Sequence, residues 1–106
     1  MDKSIIASEF SFKAVRSSGA GGQNVNKVSS KVVLTFDLVN SKGLKEEEKQ
    51  LLQTKIATKL TQEGILIITS QEDRSQLKNK EIAIKKCFKL IENNLLFYFQ
   101  NIPQLN

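Results

Sequence analysis

The 106-residue sequence predicts an α+β domain: a small three-stranded sheet, mixed or antiparallel, packed by two helices. Three observations predict it. Two stretches alternate apolar and polar residues on either side of a glycine cluster. Two longer stretches repeat apolar residues at helical spacing. Between those two lies one short apolar run. The order is strand, glycine loop, strand, helix, strand, helix. Apolar residues make up 40% of the chain, enough for one modest core.

The first strand is "EFSFKAVR", residues 9–16. Phe10, Phe12 and Ala14 fall on one side; Ser11, Lys13 and Val15 fall on the other. "RSSGAGGQNVNKVSSK" comes next at 16–31 and holds three of the chain's five glycines. The second strand is "KVVLTFDL", residues 31–38, with Val32, Leu34, Phe36 and Leu38 sharing a face and β-branched residues in support. "NSKG" at 40–43 is turn chemistry.

A helix is expected over 44–60, where Leu44, Leu51, Leu52, Ile56 and Leu60 recur at helical spacing. Glu46, Glu47 and Glu48 sit where its dipole favours negative charge, and Gly64 is its expected stop. "ILIITS" at 65–70 reads as a short buried strand, and "QEDRSQ" as a polar turn. The last helix starts at Gln76. Ala83, Ile84, Cys87, Phe88, Ile91 and Leu95 line its apolar side, with the lysines at 78, 80, 85, 86 and 89 elsewhere. After Glu92 the chain carries no charge and ends in "NNLLFYFQNIPQLN". We therefore divide it into a domain over 1–92 and an atypical segment over 93–106.

Composition narrows the chemistry. Sixteen Lys and Arg against 11 Asp and Glu give a net charge of +5, which favours a polyanionic partner, nucleic acid first. Surplus surface lysine is the plainer account. No histidine is present, so Ser-His-Asp and Cys-His catalysis and every His-containing metal site are excluded within this chain. A single cysteine, Cys87, builds neither a disulfide framework nor a thiolate metal site. No metal or organic cofactor is implied. No stretch is long and apolar enough to span a bilayer, and the N-terminus lacks a signal-peptide core. The expected setting is the cytoplasm, and the expected state is a monomer.

The glycine loop admits three readings. The first is a hairpin connection and nothing more. The second is phosphate binding, but its glycines fit neither G-x-x-x-x-G-K-[ST] nor G-x-G-x-x-G. The third starts from what the residues can do. Adjacent glycines free the backbone to approach a ligand closely, so that amide N–H groups can meet a developing oxyanion. Gln23 beside them offers a donor and an acceptor but no general base. Such a loop can place a water and stabilise charge, with proton transfer supplied by the substrate or a host.

At "SGAGGQNVNK" the sequence resembles the class I peptide chain release factors and their short relatives, the codon-independent peptidyl-tRNA hydrolases that rescue stalled ribosomes. Gly19-Ala20-Gly21-Gly22-Gln23 matches the family's glycine-glycine-glutamine tip, and Val25-Asn26-Lys27 matches the Val-Asn-[Lys or Thr] stretch behind it. "EDRSQLKNKEIA", with Arg74, Ser75, Gln76 and Asn79, resembles its R-S-Q-x-x-N segment before the last helix. The resemblance spans roughly residues 8 to 92. It implies a loop that enters the peptidyl-transferase centre of the large ribosomal subunit and promotes hydrolysis of the ester between nascent peptide and tRNA. Gln23 is then the catalytic residue: its backbone N–H is the implied oxyanion donor, and its side chain admits water over bulkier nucleophiles. Gly21 and Gly22 supply the loop conformation.

Arg16, Lys27 and Lys31 flank the loop and are candidates for rRNA or tRNA phosphate, though solvated surface charge explains them equally. Asn26 is a further contact candidate; with Ser29 it could instead cap a short helix. Arg74 and Gln76 are candidates for rRNA contact, or structural residues tying the 71–76 turn to the core. The chain departs from the family in two ways. It has no room for a stop-codon-reading domain, and it lacks the basic C-terminal extension of the rescue type. A natural tailless variant, a shortened chain and an altered reading frame each account for the second departure. It also leaves open a rival function: a ribosome- or RNA-binding module that docks without releasing peptide.

Overall fold

The structure is a computed structural model. It describes residues 1–16 and 30–100, and for Arg16 and residues 96–100 the backbone alone. The elements are α1 (Lys3–Ser8), β1 (Ser11–Arg16), β2 (Ser30–Asp37), α2 (Glu46–Lys55), a 3₁₀ turn (Ala57–Lys59), β3 (Ile65–Ser70) and α3 (Gln76–Gln100). The α+β class and the order of strands and long helices agree with the sequence reading. The choice between a mixed and an antiparallel sheet resolves as antiparallel: β2 is central and pairs antiparallel with both β1 and β3.

Alternation along the strands divides the sheet into two faces. Val32, Leu34 and Phe36 of β2 and Leu66 of β3 point into the core, with Phe12 and Ile68 packed at its edge. Helix α3 covers this face, as Ala83, Cys87, Ile91 and Leu95 are buried against it. Phe10, just before β1, meets Phe36 and Phe12 edge-on at 5.5 and 6.2 Å and tilts against Phe88 of α3 at 5.4 Å. A fully buried Leu, Ile or Phe contributes about 1.5–3 kcal/mol, so this layer carries most of the stability. Among the described residues no helix packs on the other face, and Val15 and Ile67 stand exposed there. Past Glu92, α3 continues to Gln100, and Leu95 belongs to the core.

Three boundaries depart from the sequence reading. The first is α1, absent from the expected elements. At six residues it is too short for a periodic signal, and only Ile6 is buried. It is held by a local cap and a distant loop: Asp2 accepts from the Ile5 N–H at 3.2 Å, and the Asp2 N–H donates to the Gly43 carbonyl at 2.8 Å. A Cβ on Gly43 would come within 2.6 Å of Ile6 Cγ1, so only glycine permits that approach.

The second is α2, which ends at Lys55 rather than Leu60. The β-branched Thr54, Ile56 and Thr58 disfavour continuation. Leu60 leaves the helical path to bridge Leu66 of β3. The third is Gly64, which is no helix stop. It takes φ +82° in the turn before β3, where its N–H donates to the Thr61 carbonyl at 2.9 Å. The glutamates behave as expected at the start of α2, and Glu48 goes further. Buried, it accepts from the Lys45 N–H at 2.8 Å and from the Met1 amino group at 3.2 Å.

Candidate functional site

The glycine loop joins β1 to β2. Arg16 and Ser30 are the last register pair of the two strands, so the loop leaves the sheet from one end and returns to the adjacent strand. Gly21, Gly22, Gln23, Asn26 and Lys27 lie outside the described residues, as do the residues of the suggested cap. The root of the loop is described. On the uncovered face of the sheet, Lys31 sits opposite Val15, and Lys13 opposite Val33. Lys13 is exposed and Lys31 half-buried, so basic side chains lead toward the loop along this face.

On the covered face, the root is fixed by one side chain. Asn79 of α3 is completely buried. Its Nδ2 donates to the carbonyl of Ser30, the first residue of β2, and to the Asp73 carbonyl at 2.8 Å. Its Oδ1 accepts from the Asp73 N–H at 2.9 Å, and Ser70 Oγ, at the end of β3, lies 3.3 Å away. A buried amide is costly unless bonded, and this one is bonded on both its donor and acceptor sides. It therefore clasps the start of β2, the end of β3 and the 71–75 turn to the first turn of α3.

The turn supports the clasp. Ser75 caps α3: its Oγ accepts from the Lys78 N–H at 3.2 Å, and its own N–H donates to Asp73 Oδ1 at 2.8 Å. Glu72 accepts from Ser70 and from Lys86 of α3. Those two bonds, Lys86 first, hold its carboxyl well below the usual carboxylate range, at about 2. Within "RSQLKN" the structural work thus falls to Ser75 and Asn79. The side chains of Arg74 and Gln76 are exposed and bond to no described residue. The sequence did carry a signal for Asn79. It precedes Ala83, Cys87, Ile91 and Leu95 at steps of four, which puts a polar residue on the buried stripe of α3.

Two further observations bound the chemistry. Burial pushes the Cys87 thiol up to about 12, so it packs the core and is no nucleophile. Among the described residues, no cluster of acids and cysteine could hold a metal ion, and no helix is long and apolar enough to cross a membrane.

Fold and root together define a class: a small α+β domain that presents a glycine-rich, glutamine-bearing loop from one end of an antiparallel sheet. Residues 1–96 match the RF-1 domain. The chain belongs to that family, the GGQ-domain family of class I peptide chain release factors. It is 42% identical over 83 residues to the peptidyl-tRNA hydrolase ArfB of Pseudomonas putida, covering 78% of this chain and 60% of that protein. It is 38% identical over 71 residues to large ribosomal subunit protein mL62 of Mus musculus, covering 67% of this chain and 34% of that one. It is 35% identical over 86 residues to peptide chain release factor 2 of Borreliella burgdorferi, covering 81% of this chain and 16% of that one. The chain thus spans 60% or less of the length of these relatives.

Proposed function

We propose that this chain hydrolyses the ester bond of peptidyl-tRNA on the ribosome, releasing nascent peptide from stalled complexes without reading a codon. The observation that carries this reading is the Gly21-Gly22-Gln23 tip within a chain 42% identical to a peptidyl-tRNA hydrolase. Gln23 is the catalytic residue. Its backbone N–H faces the oxyanion of the tetrahedral intermediate, and its side chain orients the attacking water. Gly21 and Gly22 let the backbone come that close. The ribosome and tRNA provide the proton path, which suits a chain with no histidine. The partners are rRNA of the peptidyl-transferase centre and peptidyl-tRNA. A relative named for a place in the large ribosomal subunit supports the ribosome as partner. The lone cysteine suits a cytoplasmic setting.

The test is peptide release from purified ribosomes stalled on a message without a stop codon. The wild-type chain releases peptide; Gln23→Ala abolishes release and binds ribosomes as before. If Gln23→Ala releases at the wild-type rate, the loop is only a connection and the proposal fails. The rival reading is a docking module that binds the ribosome without releasing peptide. It predicts binding without release both from this chain and from the same chain with a basic tail appended; release only with the tail would mean that the loop is competent and lacks its anchor.

A further inference from the structure

Three open clefts of similar size are lined by described residues. One lies beside the loop root, between β1 and the first turn of α3. It holds about 420 Å³ and is lined by Phe12, Ala14, Val32, Gln76, Leu77 and Lys80. The other two, about 380 and 400 Å³, lie at the far end of the sheet. All three fall in the size range of small-ligand sites, roughly 300–1,000 Å³, so volume does not separate them. Charge does. Glu63 lines both far clefts, and Glu9 and Asp37 line one of them. The cleft at the loop root has no carboxylate in its lining; Glu81, one turn beyond Leu77, lies outside it.

Its lining is unusual for a surface the fold has no use for. Leu77 is 66% exposed, the most exposed large apolar side chain among the described residues. Phe12 offers a half-buried ring with the Lys80 ammonium over its face, 4.6 Å from the centroid, so the flexible lysine swings toward a phosphate when a base takes that face. Gln76 is exposed, with its amide donor and acceptor bonded to no described residue. Apolar walls, a ring, an unused amide and a cation at the rim are what an unstacked nucleobase requires. The base packs flat on apolar and aromatic surface, its edge meets an amide, and its phosphate meets a cation. A protein segment of acidic or mixed charge would find one cation here and no acceptor beyond the Gln76 amide.

We infer that this cleft takes one unstacked base of a single-stranded RNA segment, with Leu77 and Phe12 as walls, Gln76 at the base edge and Lys80 toward the phosphate. The inference rests on the proposal that the partner is ribosomal RNA, and it deepens that proposal by naming a second anchoring point outside the catalytic loop. Sited at the loop root, such an anchor restrains the domain close to where the loop departs. Lys80 then contributes to salt dependence, whereas Leu77 and Gln76 do not.

The experiment is ribosome binding by the full chain, with release read in parallel. Leu77→Asp is expected to weaken binding about tenfold, the scale of one lost base stack. Ile67→Asp, at the far cleft, should leave it within twofold. Lys80→Gln should lower the slope of log affinity against log salt by about one. The plateau release rate at saturating protein should be unchanged in the Ile67→Asp control. That rate reports on Gln23, so a failed hydrolase proposal shows as a silent wild type with normal binding. Equal binding by Leu77→Asp and wild type overturns the inference. A photo-crosslinking residue at position 77 decides the class of occupant. A crosslink mapped to a single-stranded rRNA base supports the inference. A crosslink to a ribosomal protein, to a second copy of the chain, or to nothing overturns it.

Discussion

At the loop end of the sheet, an amide buried in α3 holds the Ser30 carbonyl, and lysines stand in the open. At the far end, carboxylates hold the backbone. Glu9 accepts from Ser41 Oγ at 2.6 Å and from the Lys42 N–H at 2.8 Å. Asp37 accepts from the Asn40 N–H at 3.3 Å and its side-chain amide at 2.9 Å. Acids also lie near the loop end: Glu72 is engaged by Lys86 and Ser70 and Asp73 by the Ser75 N–H, while Glu81 of α3 stands exposed. The difference teaches that one small sheet can be tied down by different means at its two ends, carboxylates at one and a neutral amide at the other. If the proposed RNA partner meets the loop end, the tie it meets there is a neutral one.

The largest effect should come from cutting the neutral tie. Asn79→Ala strands the Ser30 carbonyl and the Asp73 backbone groups, at about 2–4 kcal/mol by urea unfolding. It should also slow release at saturating protein. A variant that loses this stability yet keeps full release would separate the clasp from the loop. Gly64→Ala tests the opposite end. It forces a side chain into a φ of +82° and puts a Cβ 2.0 Å from Val39 Cγ2. We expect a loss of about 2 kcal/mol with the release rate of the folded protein intact. Reduced release at saturation would show that the two ends are not independent. Ser75→Ala should cost about 1 kcal/mol through the lost cap, measured by thermal melting.

The smallest effect is the pH response of Glu72. Its carboxyl is held at about 2 against an ordinary 4.5, so its bonds to Lys86 and Ser70 stabilise the fold fully above the ordinary value. That contribution fades as pH falls from about 4.5 through about 2. Because the pair is half-exposed, the change is slight. Melting curves of wild type and Glu72→Gln should converge as the pH falls across that window. Curves that stay a constant distance apart would remove Glu72 from the account.

Long periodic segments are legible in the sequence because their faces repeat. β2 and the apolar side of α3 fall where alternation and helical spacing put them; β3 falls where its apolar run puts it, but it is not the buried strand expected, because one face of the sheet is open and Ile67 is exposed on it. Helix α1 is not legible, because a six-residue helix with one buried side chain leaves no period to read, and Gly43 holds it from a distance. The end of α2 is misplaced by periodicity because Leu60 keeps its helical spacing while its backbone turns away to meet β3. At the site, the motif residues are legible as a pattern but not as parts. The sequence offers Arg74 and Gln76 as ties to the core, and the tie belongs to Ser75 and Asn79. The role of Asn79 stays hidden because it depends on Ser30 and Asp73, groups that meet it only after folding.

That same bond sets the smallest piece that can be borrowed. The strand–loop–strand segment looks self-contained, a hairpin that an engineer might graft onto another scaffold. Yet the side chain that fixes its returning strand comes from 49 residues further along the chain. A graft ending at Asp37 would carry every letter of the glycine motif and leave the Ser30 carbonyl without its holder. The portable unit extends at least through the first turn of α3, and through Ile91 if that turn is to keep the core it packs on.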